Sequence, residues 1–270
     1  MQISTATASD INRIKELWVE IFGDSQQFAD FAANICPTEE IYLVKDDNQI
    51  VAMVNAGIDL QACGKKGFYI YGLATVPQYR GKGLAKQLME YVENKKLSQG
   101  YDFVLTQPAQ ESLFEFYRQM GYTNTVYLRK AVIDIKRNLW ATADFDTMTA
   151  TRFKDMRSKF SDDEVVHFSK SGYEKFTEYV YTEGGSTAET KDAYCLYFEE
   201  KDRVVVRDLF AKSTPKAMEL LQAVRERTGK EKAEIQLSQN SALFLGEGRL
   251  CQHCLVKNLD KELYANLMFD

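Results

Sequence analysis

Apolar positions in the first half of the chain recur with two periods that take turns. Ile11, Ile14, Leu17, Trp18, Ile21 and Phe22 keep helical spacing behind the cap candidates Ser9 and Asp10, and Gly23 supplies a stop, so a helix is predicted there. A second helix is predicted from Gln26 to Ile35. Glu40 to Val44 and Ile50 to Leu60 read as two strands around the turn Asp46-Asp47-Asn48. The hairpin leads to a third strand, in which Phe68, Ile70 and Gly72 are expected on one face and Tyr69, Tyr71 and Leu73 on the other. Pro77 ends that ladder, and Leu84, Leu88 and Val92 then recur at i, i+4 and i+8, the stripe of an amphipathic helix opening just after Gly83. Gly100 stops it. Tyr101 to Thr106 is a further strand, parallel to the Phe68 strand because a helix crosses between them. A last helix is expected to enter near Ser112, with Leu113, Phe116, Tyr117 and Met120 along its apolar side and Gly121 at C′. The order α, α, β, β, β, α, β, α predicts an α/β fold of the α+β kind, built on a mixed sheet.

The second half repeats part of this pattern. Arg203 to Ala211 reads as a strand, Ala217 to Val224 as a helix stopped by Gly229, and Ala233 to Leu237 as a second strand. The connecting loop Lys212-Ser213-Thr214-Pro215 lacks the glycines found after Pro77. Two domains are expected, residues 1–137 and 138–270, a division that suits a chain of 270 residues. An unrelated α+β domain with one chance strand–helix–strand unit is the alternative for the second.

Composition narrows the partners. A net charge of −5 argues against nucleic acid, which normally meets a basic face. No run approaches the ~20 apolar residues of a membrane span, and the first residues have neither the basic start nor the apolar core of a signal peptide. No membrane partner and a cytoplasmic location are therefore expected. Five cysteines, an odd number without framework spacing, suit a reducing compartment. Cys251-Gln252-His253-Cys254 offers half a zinc site with no second cluster, on a stretch from Arg249 to Val256 that alternates like a strand, so no metal is expected.

The chemistry is concentrated between Pro77 and the following helix. Amides of a helical first turn have no intrahelical acceptor and lie at the positive end of the dipole, which makes the turn Gln78-Tyr79-Arg80-Gly81-Lys82-Gly83 a candidate pyrophosphate cradle, with Arg80 and Lys82 as its cations. The bland alternative is an ordinary strand-to-helix turn with solvated basic residues. A nucleotide P-loop would need Ser or Thr after Lys82, and a dinucleotide fingerprint a third glycine where Leu84-Ala85-Lys86 stands.

Gln78, Gly81 and Gly83 match the Gln/Arg-x-x-Gly-x-Gly/Ala pattern of the GCN5-related N-acetyltransferases, and Phe116-Tyr117-Arg118-Gln119-Met120-Gly121-Tyr122 resembles the second motif of that family. The resemblance, to a tandem type with a degenerate second domain, implies transfer of an acetyl group from acetyl-CoA to a primary amine of a small molecule or protein. It implies backbone contacts to the cosubstrate from Leu73, Ala74, Thr75 and Val76, and a site completed by Gln78, Arg80, Gly81, Lys82, Gly83, Leu84, Ala85 and Ser112. It also implies Tyr117 as proton donor to the leaving thiolate, against a reading in which this residue, on an apolar helix face, is core. No base is assigned: Asp59 and Glu111 are acidic residues near the expected cleft, His167 and His253 read as structural or surface residues, and water or the terminal carboxylate of Asp270 remain open. A homo-oligomer is a possible state under any reading, and two further readings stand beside the enzyme: a non-catalytic acyl-CoA-binding regulatory or interaction module, and a scaffold without CoA, which leaves the glycine turn unexplained.

Overall fold

The computed structural model describes residues 1–145, 149–160 and 162–269. It divides into two compact units, one of residues 1–124 with 255–260 and one of residues 125–254 with 261–270. The first unit thus ends before the expected boundary at 137. The reason lies in strand β6 (Asn124–Asp134), whose residues Leu128 to Asp134 pair antiparallel with Ser238 to Lys232 in the second unit's sheet.

In the first unit the elements are β1 (Gln2–Thr5), α1 (Ile11–Phe22), α2 (Gln26–Ala32), β2 (Ile41–Asp46), β3 (Gln49–Ala62), β4 (Lys65–Thr75), α3 (Leu84–Ser98), β5 (Phe103–Thr106) and α4 (Glu111–Arg118). Helix α1 starts and stops where its pattern predicts, with Gly23 left-handed at φ 77°. Helix α2 stops short of Ile35 because its last turn tightens, the Asn34 amide donating to the Phe31 carbonyl at 3.0 Å. Strands β1 to β4 pair antiparallel in sequence, β4 and β5 run parallel, and residues 255–257 of β12 (Arg249–Lys257) pair antiparallel with the outer side of β5. Helix α3 covers one face, where Leu84, Leu88 and Val92 pack with Phe68, Ile70, Val104 and Tyr117. Helices α1 and α2 cover the other, where Leu17, Trp18 and Ala32 meet Met53 and Ala74.

Strand β4 departs from simple alternation. Tyr71 pairs with Asn55 and Ala74 with Met53, so Gly72 and Leu73 together oppose Val54. Such a bulge moves every later side chain to the other face. Leu73 accordingly packs on the Phe68 and Ile70 side, not with Tyr71 as the alternation predicts. Gly72 is required: its φ is +65°, and a Cβ there would lie 2.3 Å from the Trp18 ring. Helix α4 also differs in detail. Gln110, not Ser112, holds the cap position, and the buried residues are Phe114 and Tyr117, with Leu113, Phe116 and Met120 half-buried around them.

The second unit holds α5 (Ala150–Phe160), β7 (His167–Phe168), α6 (Lys170–Thr182), β8 (Gly185–Glu189), β9 (Ala193–Glu199), β10 (Val204–Ala211), α7 (Thr214–Thr228) and β11 (Lys232–Ser238). Its sheet runs β6, β11, β10, β9, β8, with β10 and β11 parallel across α7, as the repeat in sequence predicts. Here too the first parallel strand slips register, Arg207 being the extra residue between Val206, opposite Tyr197, and Asp208, opposite Leu196. Below that slip lies a fully buried ion pair, Arg157 to Asp208 at 2.6 Å. Asn266 completes it, accepting from Arg157 at 2.8 Å and donating to Asp208 at 2.8 Å, so the segment 263–269 is held in the core.

Candidate functional site

Strands β4 and β5 stay paired only from Gly67 with Phe103 to Ile70 with Thr106. Beyond that point β5 has ended while β4 continues to Thr75, leaving one edge of β4 without a strand partner among the described residues. Leu73, Ala74, Thr75 and Val76 stand along it. The Val76 amide donates to the Val51 carbonyl at 2.9 Å, so it is spent on β3. Antiparallel alternation then turns the N–H and C=O of Thr75, the partner of Ala52, away from β3 and toward the open edge. The Arg80 guanidinium returns to that edge and donates to the Thr75 carbonyl at 3.1 Å.

A short 3₁₀ turn, Pro77–Tyr79, carries the chain from β4 to α3 and places Gln78 and Arg80 on the surface. Tyr79 is tied down by a 3.0 Å hydrogen bond to Asp46, and the Lys82 ammonium lies 4.5 Å from its ring centroid. Gly81 and Gly83 take φ of +74° and +76°; a Cβ at Gly81 would meet nothing within 4 Å, and one at Gly83 only the Gln87 side chain at 3.9 Å. Open space beyond left-handed glycines is what close approach of a ligand to backbone requires. Gly83 occupies the N-cap position without a side-chain cap, and the first intrahelical bond runs from Gln87 to Gly83. The amides of Leu84, Ala85 and Lys86 are thus left over, and neither Arg80 nor Lys82 forms an ion pair among the described residues. These donors fit the doubly charged pyrophosphate of a CoA ester.

Tyr117 stands below the point where the strands part. It is 6% exposed, its hydroxyl is hydrogen-bonded to the side chain of Thr106, and Thr106 in turn donates to the Ile70 carbonyl at 3.2 Å. Burial pushes its pKa upward and the Thr106 contact opposes that. Ser112 is exposed in the first turn of α4. Of the acidic residues, Asp59 pairs in register with Phe68, at the far end of β4 from Thr75, and accepts from Tyr101 at 2.6 Å. Glu111 is exposed. His167 bonds Tyr173 at 2.7 Å, and burial lowers its pKa to about 4. His253 is buried on β12. Asp270 lies outside the described residues. Cys254 is buried with its thiol toward the Ala265 carbonyl, and Cys251 is half-buried.

The corresponding mouth in the second unit is closed by the chain itself. Ser213 is the N-cap of α7, and the Thr214 hydroxyl accepts from the Phe244 amide at 3.0 Å. Leu243 and Leu245 of that loop enter the core beside α7, while Arg129 donates to the Leu243 carbonyl at 2.6 Å. Lys212 and Lys216 are paired with Asp192 and Glu219.

Residues 11–122 match the family model "Acetyltransferase (GNAT) family". No curated protein matches the sequence. Among solved structures, a GCN5-related N-acetyltransferase from Kribbella flavida is similar at TM-score 0.75 and 17% identity, covering 94% of this chain and 70% of that one. One from Anabaena variabilis gives 0.75 and 14%, over 94% and 72%. A tandem GNAT protein from the clavulanic acid biosynthesis pathway gives 0.58 and 8%, over 97% and 99%. No helix among the described residues is long and apolar enough to cross a membrane. The glycine turn, the parted parallel strands and the matched segment coincide, and residues 11–122 form a domain of the acetyltransferase (GNAT) family within a chain that has the fold of GNAT acetyltransferases.

Proposed function

We propose that this protein transfers an acetyl group from acetyl-CoA to a primary amine of a small molecule or protein. The observation that carries the reading is the α3 mouth: left-handed Gly81 and Gly83, three spare amides, and two cations without acidic partners among the described residues. Gln78, Arg80, Lys82, Leu84, Ala85 and Ser112 complete the site. Acyl-CoA would lie with its phosphates at this mouth and its thioester along the open edge of β4, where the Thr75 amide is the donor to the thioester carbonyl. Amine attack forms the C–N bond and breaks the C–S bond. The amine proton leaves to water, the departing thiolate takes the phenolic proton of Tyr117, and the Tyr117 phenolate regains a proton from solvent, so that amide and free CoA thiol are the only net products. An oxyanion donor of the Thr75 kind is worth roughly 2.7–4 kcal/mol where such groups have been removed from other enzymes.

The second unit is read as a degenerate copy whose mouth is filled by residues 241–245. Five free thiols support a reducing, cytoplasmic setting. A module that binds acyl-CoA without turnover is the second reading, and the burial of Tyr117 favours it, because a phenol with a raised pKa is a weaker acid.

Titration calorimetry with acetyl-CoA tests the site before any amine is known. Saturable binding that weakens in Gly83→Val supports it; no binding overturns it. An amine screen followed by thiol release then separates the two readings, Tyr117→Phe keeping acetyl-CoA affinity while turnover falls by about 10²-fold or more if the phenol donates the proton.

A further inference from the structure

We propose that Lys257 is a positioning residue for Tyr117, acting from a strand that returns to the first unit near the end of the chain. The inference rests on the reading of Tyr117 as proton donor. Lys257 pairs with Val104 in the β12–β5 ladder, and its ammonium, 5.6 Å from the Tyr122 ring centroid, donates two hydrogen bonds. One is to Glu93 of α3 at 2.6 Å, the other to the Met120 carbonyl at 2.8 Å.

Each contact leads to Tyr117. The Met120 carbonyl lies in the turn that ends α4, where carbonyls lack helical partners and a cation is favoured. That turn is folded back on Tyr117 itself, whose carbonyl accepts from the Met120 amide at 2.9 Å and the Tyr122 amide at 3.2 Å. Through Glu93 the second contact fixes a ring. The Tyr122 hydroxyl donates to the other Glu93 oxygen at 2.7 Å, and the Tyr122 ring packs edge-on against Tyr117 with centroids 5.7 Å apart. The lysine stem lies against Gly121, where a Cβ would come within 3.2 Å of Lys257 Cε. One ammonium therefore sets both the backbone below Tyr117 and the ring that holds it under Thr106. Lys257 meets no reacting atom, and Glu93, 7% exposed, needs it as counter-charge.

The test places 3-fluorotyrosine at position 117 and reads its ¹⁹F line in the full chain. Because Lys257→Met alone leaves Glu93 buried without its cation, the pair Lys257→Met with Glu93→Gln is measured beside it, and Lys257→Arg serves as rescue. The expected result is a line that shifts by more than its width, or splits, in the neutral pair and returns in Lys257→Arg, with acetyl-CoA affinity within about twofold throughout. An unmoved line in the neutral pair overturns the proposal. With an accepted amine in hand, the neutral pair should lower kcat about tenfold in the native background and not at all in Tyr117→Phe. A full tenfold loss in both backgrounds would also overturn it. If Tyr117→Phe alone leaves the rate unchanged, the proton-donor reading fails while the ¹⁹F result still stands for the positioning.

Discussion

The two parallel strand–helix–strand units of this chain differ in what fills the helix mouth. At α3 the amides are open, Gly81 and Gly83 hold left-handed backbone over empty space, and Arg80 and Lys82 have no acidic partner among the described residues. At α7 the Phe244 amide is bonded to the Thr214 hydroxyl, Leu243 and Leu245 pack into the core beside the helix, and Lys212 and Lys216 are ion-paired. Both first strands carry a register slip before the gap, at Gly72 and Arg207. The slip is thus compatible with either outcome. A gap meant for a ligand keeps its cations unspent, and a gap that serves the fold pairs them internally.

The contrast breaks first if the second gap is not held from within. Arg157→Ala strands Asp208 in a dry interior, and unfolding by urea should show a loss of about 3–5 kcal/mol; a loss under 1 would mean the ion pair holds nothing. Next, Leu243→Ala should cost about 2–3 kcal/mol by the same assay, yet calorimetry should still find one acetyl-CoA per chain. Two per chain would show the α7 mouth to be a blocked site and not a lost one. At the other mouth, Gly83→Val forces a β-branched residue to φ near +76°, and acetyl-CoA should bind about tenfold more weakly, whereas Thr214→Val should leave binding untouched.

Acid gives an effect of similar size. The His167 ring titrates at about 4 when folded against 6.5 unfolded, so the unfolded chain takes up the proton first as pH falls. Its contribution is complete above about 6.5 and fades toward 4. Urea midpoints at pH 7 and 5 should differ less in His167→Gln than in the native chain, and equal differences would remove His167 from the acid response.

Much of this was legible locally. Leu84, Leu88 and Val92 announce α3, Gly23 and Gly229 mark helix ends, and the pairing of glycines with cations after Pro77 marks the mouth, because each signal acts within one or two turns of backbone. The bulge at Gly72 was not, since it depends on Trp18 arriving from another element, and it reversed the assignment of Leu73. That Val76 spends its amide on Val51, while Thr75 does not, depends on strand register and is equally silent in sequence. Nothing in the sequence links Arg157 to Asp208, 51 residues apart. Nothing near Lys257 pointed to Glu93, 164 residues earlier.

The return of β12 also sets a timetable. During synthesis the strand that closes β5 and delivers Lys257 follows the matched segment by more than a hundred residues, roughly seven to twenty-seven seconds at ordinary elongation rates. For that interval the outer edge of β5 lacks the partner it has in the folded chain, and an open strand edge is the kind that pairs wrongly.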